Sequence, residues 1–201
     1  MATTPARADE RPATRDRLVG SAAALFSRHG YAATGVKAVL TAADAPYGSL
    51  YHFFPGGKQD LGVAALEHSG ARYREMLESV YPPGLDVVEA TATSFVEAGD
   101  LLEATDYADA CPIATIALEV ASTDQQMRGA AAAAFESWLT VLETRFTEAG
   151  MTAERAREVA VEVFCLMEGS SLLARTSRSR TPFAVAGRAA ANAVAAGLDA
   201  S

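Results

Sequence analysis

Apolar positions recur at helical spacing from the first quarter of the chain onward. Leu18, Ala22, Leu25, Phe26 and His29 fall on one face of a helix. Thr14 stands where its N-cap should be, Asp16 suits its first turn, and Gly30 stops it. Thr34 is placed to cap a second helix carrying Val36, Val39, Leu40 and Ala43 on its inner side. Asp44-Ala45-Pro46 reads as a turn, with Pro46 opening a short third helix through Phe54 that Pro55-Gly56-Gly57 ends. A fourth helix runs from Lys58 to about Tyr81, closed by Pro82-Pro83-Gly84. Further helical stretches follow at about 86–104, 112–122, 124–149 and 152–177, and a last one runs from Pro182 to about Gly197. Phe135, Trp138, Leu139, Leu142 and Phe146 give the clearest single face. Nothing of useful length alternates with period two, so the expected fold is all-α.

Charge divides the chain. Residues 1–60 hold 7 basic and 5 acidic side chains, for a balance of +2, whereas the remainder carries −10, which together give the net −8. A mildly basic first third on an acidic body suits a polyanion partner held at one end and repelled elsewhere. Half of the 201 residues are hydrophobic, enough for a packed core. No apolar run approaches the roughly 18 residues that cross a bilayer, and no signal-peptide core stands near the start, so the expectation is a cytoplasmic protein without a membrane partner. Two cysteines, Cys111 and Cys165, do not make a disulfide framework. Residues 1–13 lack periodicity and read as a flexible arm; Arg7 and Arg11 in it are candidates for a minor groove.

The stretch from Thr34 to Lys58 carries the chemistry. A helix, a tight turn and a second short helix make a helix-turn-helix, in which the first helix braces a second that enters the major groove. Leu50 and Phe54, four apart, supply the inner side of that second helix. Tyr47, Gly48, Ser49, Tyr51 and His52 are left outside. Exposed tyrosines and a glycine stabilise a short helix poorly, but they suit close approach and hydrogen bonding to a phosphate backbone.

The Gly48-Ser49-Leu50-Tyr51-His52-Phe53-Phe54 core followed by Lys58 resembles the DNA-binding segment of the TetR family of bacterial transcriptional repressors. The Phe-Pro-Gly-Gly-Lys ending and Cys111-Pro112-Ile113 resemble its LmrA/YxaF-like branch. The resemblance implies a helix-turn-helix domain over 14–60 and a larger helical ligand-binding and dimerisation domain over 61–201. It implies that Thr34 caps the second helix and meets a phosphate, that Lys37 faces the DNA, and that Tyr47, Gly48 and Ser49 sample base edges. Tyr51 then meets a phosphate, His52 is its polar neighbour, and Lys58 contacts the backbone. Asp44 stands where many relatives have glycine, Tyr47 where many have a basic residue, and Phe53 where a polar group is frequent.

One reading helix contacts too few base pairs for useful specificity, so a homodimer on a palindromic double-stranded operator is expected. The helix near 152–177 is apolar on more than one stripe, and the last helix is rich in small residues. Val163, Met167, Ser170, Ala190 and Val194 are the candidate interface. The resemblance also implies a small, lipophilic effector among the middle helices that releases the repressor from DNA. Phe95, Leu102, Phe135, Trp138, Phe164 and Met167 are candidates by type, with Cys111, Thr115 and Glu119 as polar contacts. For each of them plain core packing is the stronger reading, because helical apolar spacing does not distinguish the wall of a pocket from the filling of a core.

No catalytic constellation assembles, so no enzyme is expected. His29, His52 and His68 hold no metal-ligand spacing with either cysteine, and no cofactor or metal is implied. Two alternatives stay open: a helical protein-interaction adaptor, and a redox sensor using Cys111, whose thiolate a helix start would stabilise.

Overall fold

The computed structural model describes residues 12–109 and 111–200, so Arg7 and Arg11 lie outside the described residues. Among those described, all regular structure is helical: α1 (Thr14–His29), α2 (Val36–Ala42), α3 (Gly48–Phe53), α4 (Lys58–Val80), α5 (Val87–Ala104), α6 (Pro112–Val120), α7 (Gln125–Glu148), α8 (Ala153–Ser177) and α9 (Thr181–Asp199). The helix starts are written locally. Asp86 accepts from the Val88 and Glu89 amides to open α5, Asp124 from the Met127 amide to open α7, and Thr152 from the Arg155 amide to open α8. Thr14 does not cap α1, contrary to the sequence reading. It lies inside the helix, and Ala13 occupies the cap without a side-chain bond.

Two apolar clusters divide the interior. The first joins α1–α3 to α4, α6 and the front half of α7 through Leu18, Phe26, Leu40, Leu50, Leu61, Ile113, Ile116, Met127 and Trp138. The second lies among α5, α8, α9 and the rear of α7, around Phe95, Phe146, Val159, Val163, Phe183 and Val194. The long α4 belongs to the first cluster along most of its length and crosses residue 60 without a break. It approaches α7 very closely: a Cβ at Gly70 would lie 2.8 Å from the Ala134 Cβ. The indole of Trp138 donates to the Gly70 carbonyl at 2.8 Å, which fixes the ring in that contact.

The predicted interface residues face the wrong way. Val163, Ser170, Ala190 and Val194 are all buried inside the chain's own second cluster, and Met167 packs against it. Exposed apolar side chains stand on the other stripe, with Val161, Leu172 and Leu173 on α8 and Val185 on α9. A helix apolar on two sides shows that it packs twice, but not which stripe belongs to the core.

Candidate nucleic-acid interface

α1 braces both α2 and α3, and their inner side chains Val39, Leu40, Leu50 and Phe54 are buried in the first cluster. Burying Leu50 and Phe54 turns the opposite side of α3 to solvent. Tyr47 is 69% exposed and Tyr51 56%, with ring centroids 6.5 Å apart, one turn of helix from each other. Gly48 and His52 are exposed beside them and Ser49 is half-buried. Lys37 is exposed on α2. An open groove of about 540 Å³ between α2 and the start of α3 is lined by Lys37, Leu40, Thr41, Asp44, Ala45, Pro46 and Tyr47.

The turn between α2 and α3 is held by a residue that sequence reasoning overlooked. Asp44 adopts φ 48°, the left-handed region that glycine enters most easily, in keeping with its standing where relatives have glycine. The Arg17 side chain donates from Nε to the Ala43 carbonyl (2.9 Å) and from Nη2 to the Asp44 carbonyl (3.2 Å). These charge-assisted bonds tie the turn to α1 and set the angle at which α3 projects. Arg15 lies over the Phe54 ring at 5.5 Å. Both arginines counted only toward net charge in the sequence, because their partners lie 26 to 39 positions away.

Thr34 does not cap α2. It is 4% exposed, and its hydroxyl donates back to the Gly30 carbonyl at 2.7 Å, while Gly35 stands at the start of α2 with no side-chain cap. A β-branched hydroxyl can satisfy itself on a carbonyl four residues back. Lys58 is partly buried, with Nζ 4.3 Å from the Tyr31 ring centroid and 3.4 Å from the Ala32 carbonyl that it donates to. Burial pushes its pKa down, while Glu119 opposes that shift. The lysine therefore braces the loop between α1 and α2.

Glu119, predicted as a polar effector contact, grips the same loop. Its carboxylate accepts from the Tyr31 amide at 3.0 Å and the Ala32 amide at 2.7 Å. Gly30, at φ 81°, leaves room for it: a Cβ there would lie 2.2 Å from Glu119 Oε1. Arg28 pairs with Asp109, just before α6, at 3.0 Å. The end of α1 and the loop after it are thus joined to both ends of α6 by polar contacts as well as by the shared core.

The remaining effector candidates separate into two places. Phe95 and Leu102 are buried in the second cluster; Phe95 also borders an open groove of about 480 Å³ between α5 and α9. Phe135, Trp138 and Phe164 meet in the first cluster, with centroids 5.4–5.8 Å apart. Tyr73, unnoticed in the sequence, stacks on Trp138 at 5.3 Å. Thr115 donates to the Cys111 carbonyl and is satisfied within its own helix. Cys111 caps α6 through its sulfur, which accepts from the Ala114 amide at 3.4 Å. Burial and the neighbouring Glu168 carboxyl push its thiol far above the ordinary range, overriding the helix start. That disfavours the thiolate on which a redox sensor depends. No group of three or more His, Cys, Asp or Glu side chains among the described residues is placed to hold a metal ion, and no helix there is long and apolar enough to cross a membrane.

Comparison with known proteins agrees with this architecture. The profile for bacterial regulatory proteins of the tetR family matches residues 18–65, and that for the LmrA/YxaF-like transcriptional regulator C-terminal domain matches residues 87–189. An uncharacterized HTH-type transcriptional regulator of Mycobacterium tuberculosis is 34% identical over 92% of this chain and 95% of its own. The HTH-type transcriptional regulator LmrA of Bacillus subtilis is 28% identical over 84% and 90%. The crystal structure of a regulatory protein TetR from Rhodobacter sphaeroides superposes with a TM-score of 0.79, covering 90% of this chain and 98% of that one at 22% identity, which is a likeness of fold. The buried brace and exposed stripe of α3, with a helical body of this branch behind them, place the chain in the TetR family of DNA-binding transcriptional regulators, a class without enzymatic activity.

Proposed function

We propose that the chain is a ligand-responsive repressor that binds a palindromic operator as a homodimer and leaves it when a small molecule occupies the helical body. The observation that carries this reading is the stripe of Tyr47, Gly48, Tyr51 and His52, solvent-facing on a helix whose other side is buried. Tyr47, Gly48 and Ser49 would sample base edges. Tyr51, His52 and Lys37 would hold the phosphate backbone, and Lys58 would stabilise the loop behind it. Residues 14–60 act as the DNA-binding domain and 61–201 as the regulatory and dimerisation domain. The exposed stripe Val161, Leu172, Leu173 and Val185 is the pairing surface. Ligand response would run through α6, which starts at Cys111 against the first cluster and ends in the Glu119 grip on the DNA-binding domain. A change at one end that moves α6 alters the relative affinity of two conformations for DNA.

The test is fluorescence anisotropy with labelled duplexes tiling the DNA beside the coding region. Expected is tight binding to one inverted repeat, with affinity falling steeply as salt rises. Equal, weak binding to every duplex at low ionic strength overturns the reading.

A further inference from the structure

The exposed side of α3 lacks the side chains that read bases by paired hydrogen bonds. Guanine is recognised by two bonds from an arginine or lysine, and adenine by two from an asparagine or glutamine. None of these residue types occurs between Asp44 and Phe54. The cations nearby are turned to the protein itself. Arg15 lies over the Phe54 ring, Arg17 donates to the Pro12, Ala43 and Asp44 carbonyls, Arg28 pairs with Asp109, and Lys58 donates to the Ala32 carbonyl. Lys37 lines the groove beside Tyr47 but stands on α2, outside the reading helix. Asp44, an acid able to accept from a cytosine amine, belongs to the turn before α3.

What α3 offers instead is an aromatic ridge. Tyr47 stands at its start, the end of a reading helix that reaches base edges, and Tyr51 follows one turn later with its ring tilted 57° to the first. A phenol hydroxyl or the half-buried Ser49 makes single bonds that any base can satisfy, so neither singles out a base pair. The ring body does, because thymine alone of the four bases presents a methyl group in the major groove. Gly48 lets the ridge come close. Glycine weakens a helix relative to alanine, yet a Cβ at Gly48 would meet nothing within 4 Å, so no contact inside the chain asks for it. The bare position beside Tyr47 serves approach to a surface outside the chain.

On the operator-binding reading above, we infer that Tyr47 reads thymine through its methyl group, so that each half-site is specified by A·T pairs facing the start of α3 rather than by paired hydrogen bonds to guanine or adenine. Of the two tyrosines, Tyr47 carries this role because it is the more exposed and the nearer to the helix start, while Tyr51 is left to the phosphate backbone.

The full chain is used to select duplexes from a random pool, and the preferred site is remade with deoxyuridine at each thymine in turn and, separately, with 7-deazaguanine at each guanine. Uracil keeps the pairing of thymine and lacks only its methyl, whereas 7-deazaguanine lacks the N7 acceptor that a paired contact to guanine needs. Expected is an affinity about fourfold lower for uracil at a contacted thymine, the worth of one buried methyl, and about sixteenfold lower with uracil in both half-sites. 7-Deazaguanine should leave the affinity unchanged. Uracil also alters base stacking, so a cycle with Tyr47→Ala isolates the contact: the uracil penalty at that base pair should vanish in the variant. No penalty at any thymine, a larger loss from 7-deazaguanine than from uracil, or an unchanged penalty in a folded Tyr47→Ala overturns the inference. The two wild-type substitution series decide even if the variant fails to fold. Tight, selective binding with any of those results sinks the thymine reading alone, whereas a pool that yields no preferred duplex sinks the repressor reading together with it.

Discussion

Replacing Glu119 by alanine removes the polar grip between α6 and the DNA-binding domain. The wild-type carboxylate accepts two backbone amides, Tyr31 at 3.0 Å and Ala32 at 2.7 Å. Hydrogen bonds to a charged partner contribute about 1.5–3 kcal/mol each when shielded and less when water competes. Both of these are open to solvent, so about 1–2 kcal/mol for the pair is the reasonable magnitude. For a chain of this size that is a Tm lowered by roughly 2–8 °C. The local signature is sharper: amide exchange at Tyr31 and Ala32 should speed up by roughly 5- to 30-fold, while amides in the middle of α8 keep their protection. Hydrogen exchange with residue-level resolution and differential scanning calorimetry measure the two effects. Unchanged exchange at both amides, with a Tm within experimental error of wild type, refutes the idea that this carboxylate holds the loop.

Further outcomes follow from the same structure. Tyr51→Phe keeps the ring but loses the exposed hydroxyl, so affinity should fall on all duplex sequences alike. Tyr47→Ala should instead change base preference by about 1–3 kcal/mol per contact, and selection from random duplexes separates the two behaviours. Paired Leu172→Glu and Leu173→Glu substitutions on the exposed stripe should give a folded monomer by sedimentation. Val163→Glu, which places a charge in the second core, should unfold the chain; a folded Val163→Glu monomer would return the interface to the inner stripe. Because burial and Glu168 raise the Cys111 pKa, the thiolate forms only well above the usual range. In Cys165→Ser, Cys111 should therefore react with iodoacetamide at pH 8 more than about tenfold slower than free cysteine. A rate equal to free cysteine would reopen thiol chemistry.

The sequence alone determined the helical class, the order of the elements and the reading helix, because these rest on near neighbours. Leu50 and Phe54 one turn apart fix which side of α3 is buried, and hence that Tyr47 and Tyr51 are exposed. Aspartate or threonine before α5, α7 and α8 marks where each begins. Tertiary structure decided whatever depends on distant partners. Thr34 looks like a cap until Gly30 is seen to take its hydroxyl, and Glu119 looks like a pocket residue until Tyr31 and Ala32, 88 and 87 positions away, claim it. The two apolar stripes of α8 are alike in composition, and only packing against α7 and α9 assigned Val163 to the core and left Leu172 outside. Periodicity encodes which face of a helix is apolar, whereas the identity of the group that meets that face is set by chain closure over tens of residues.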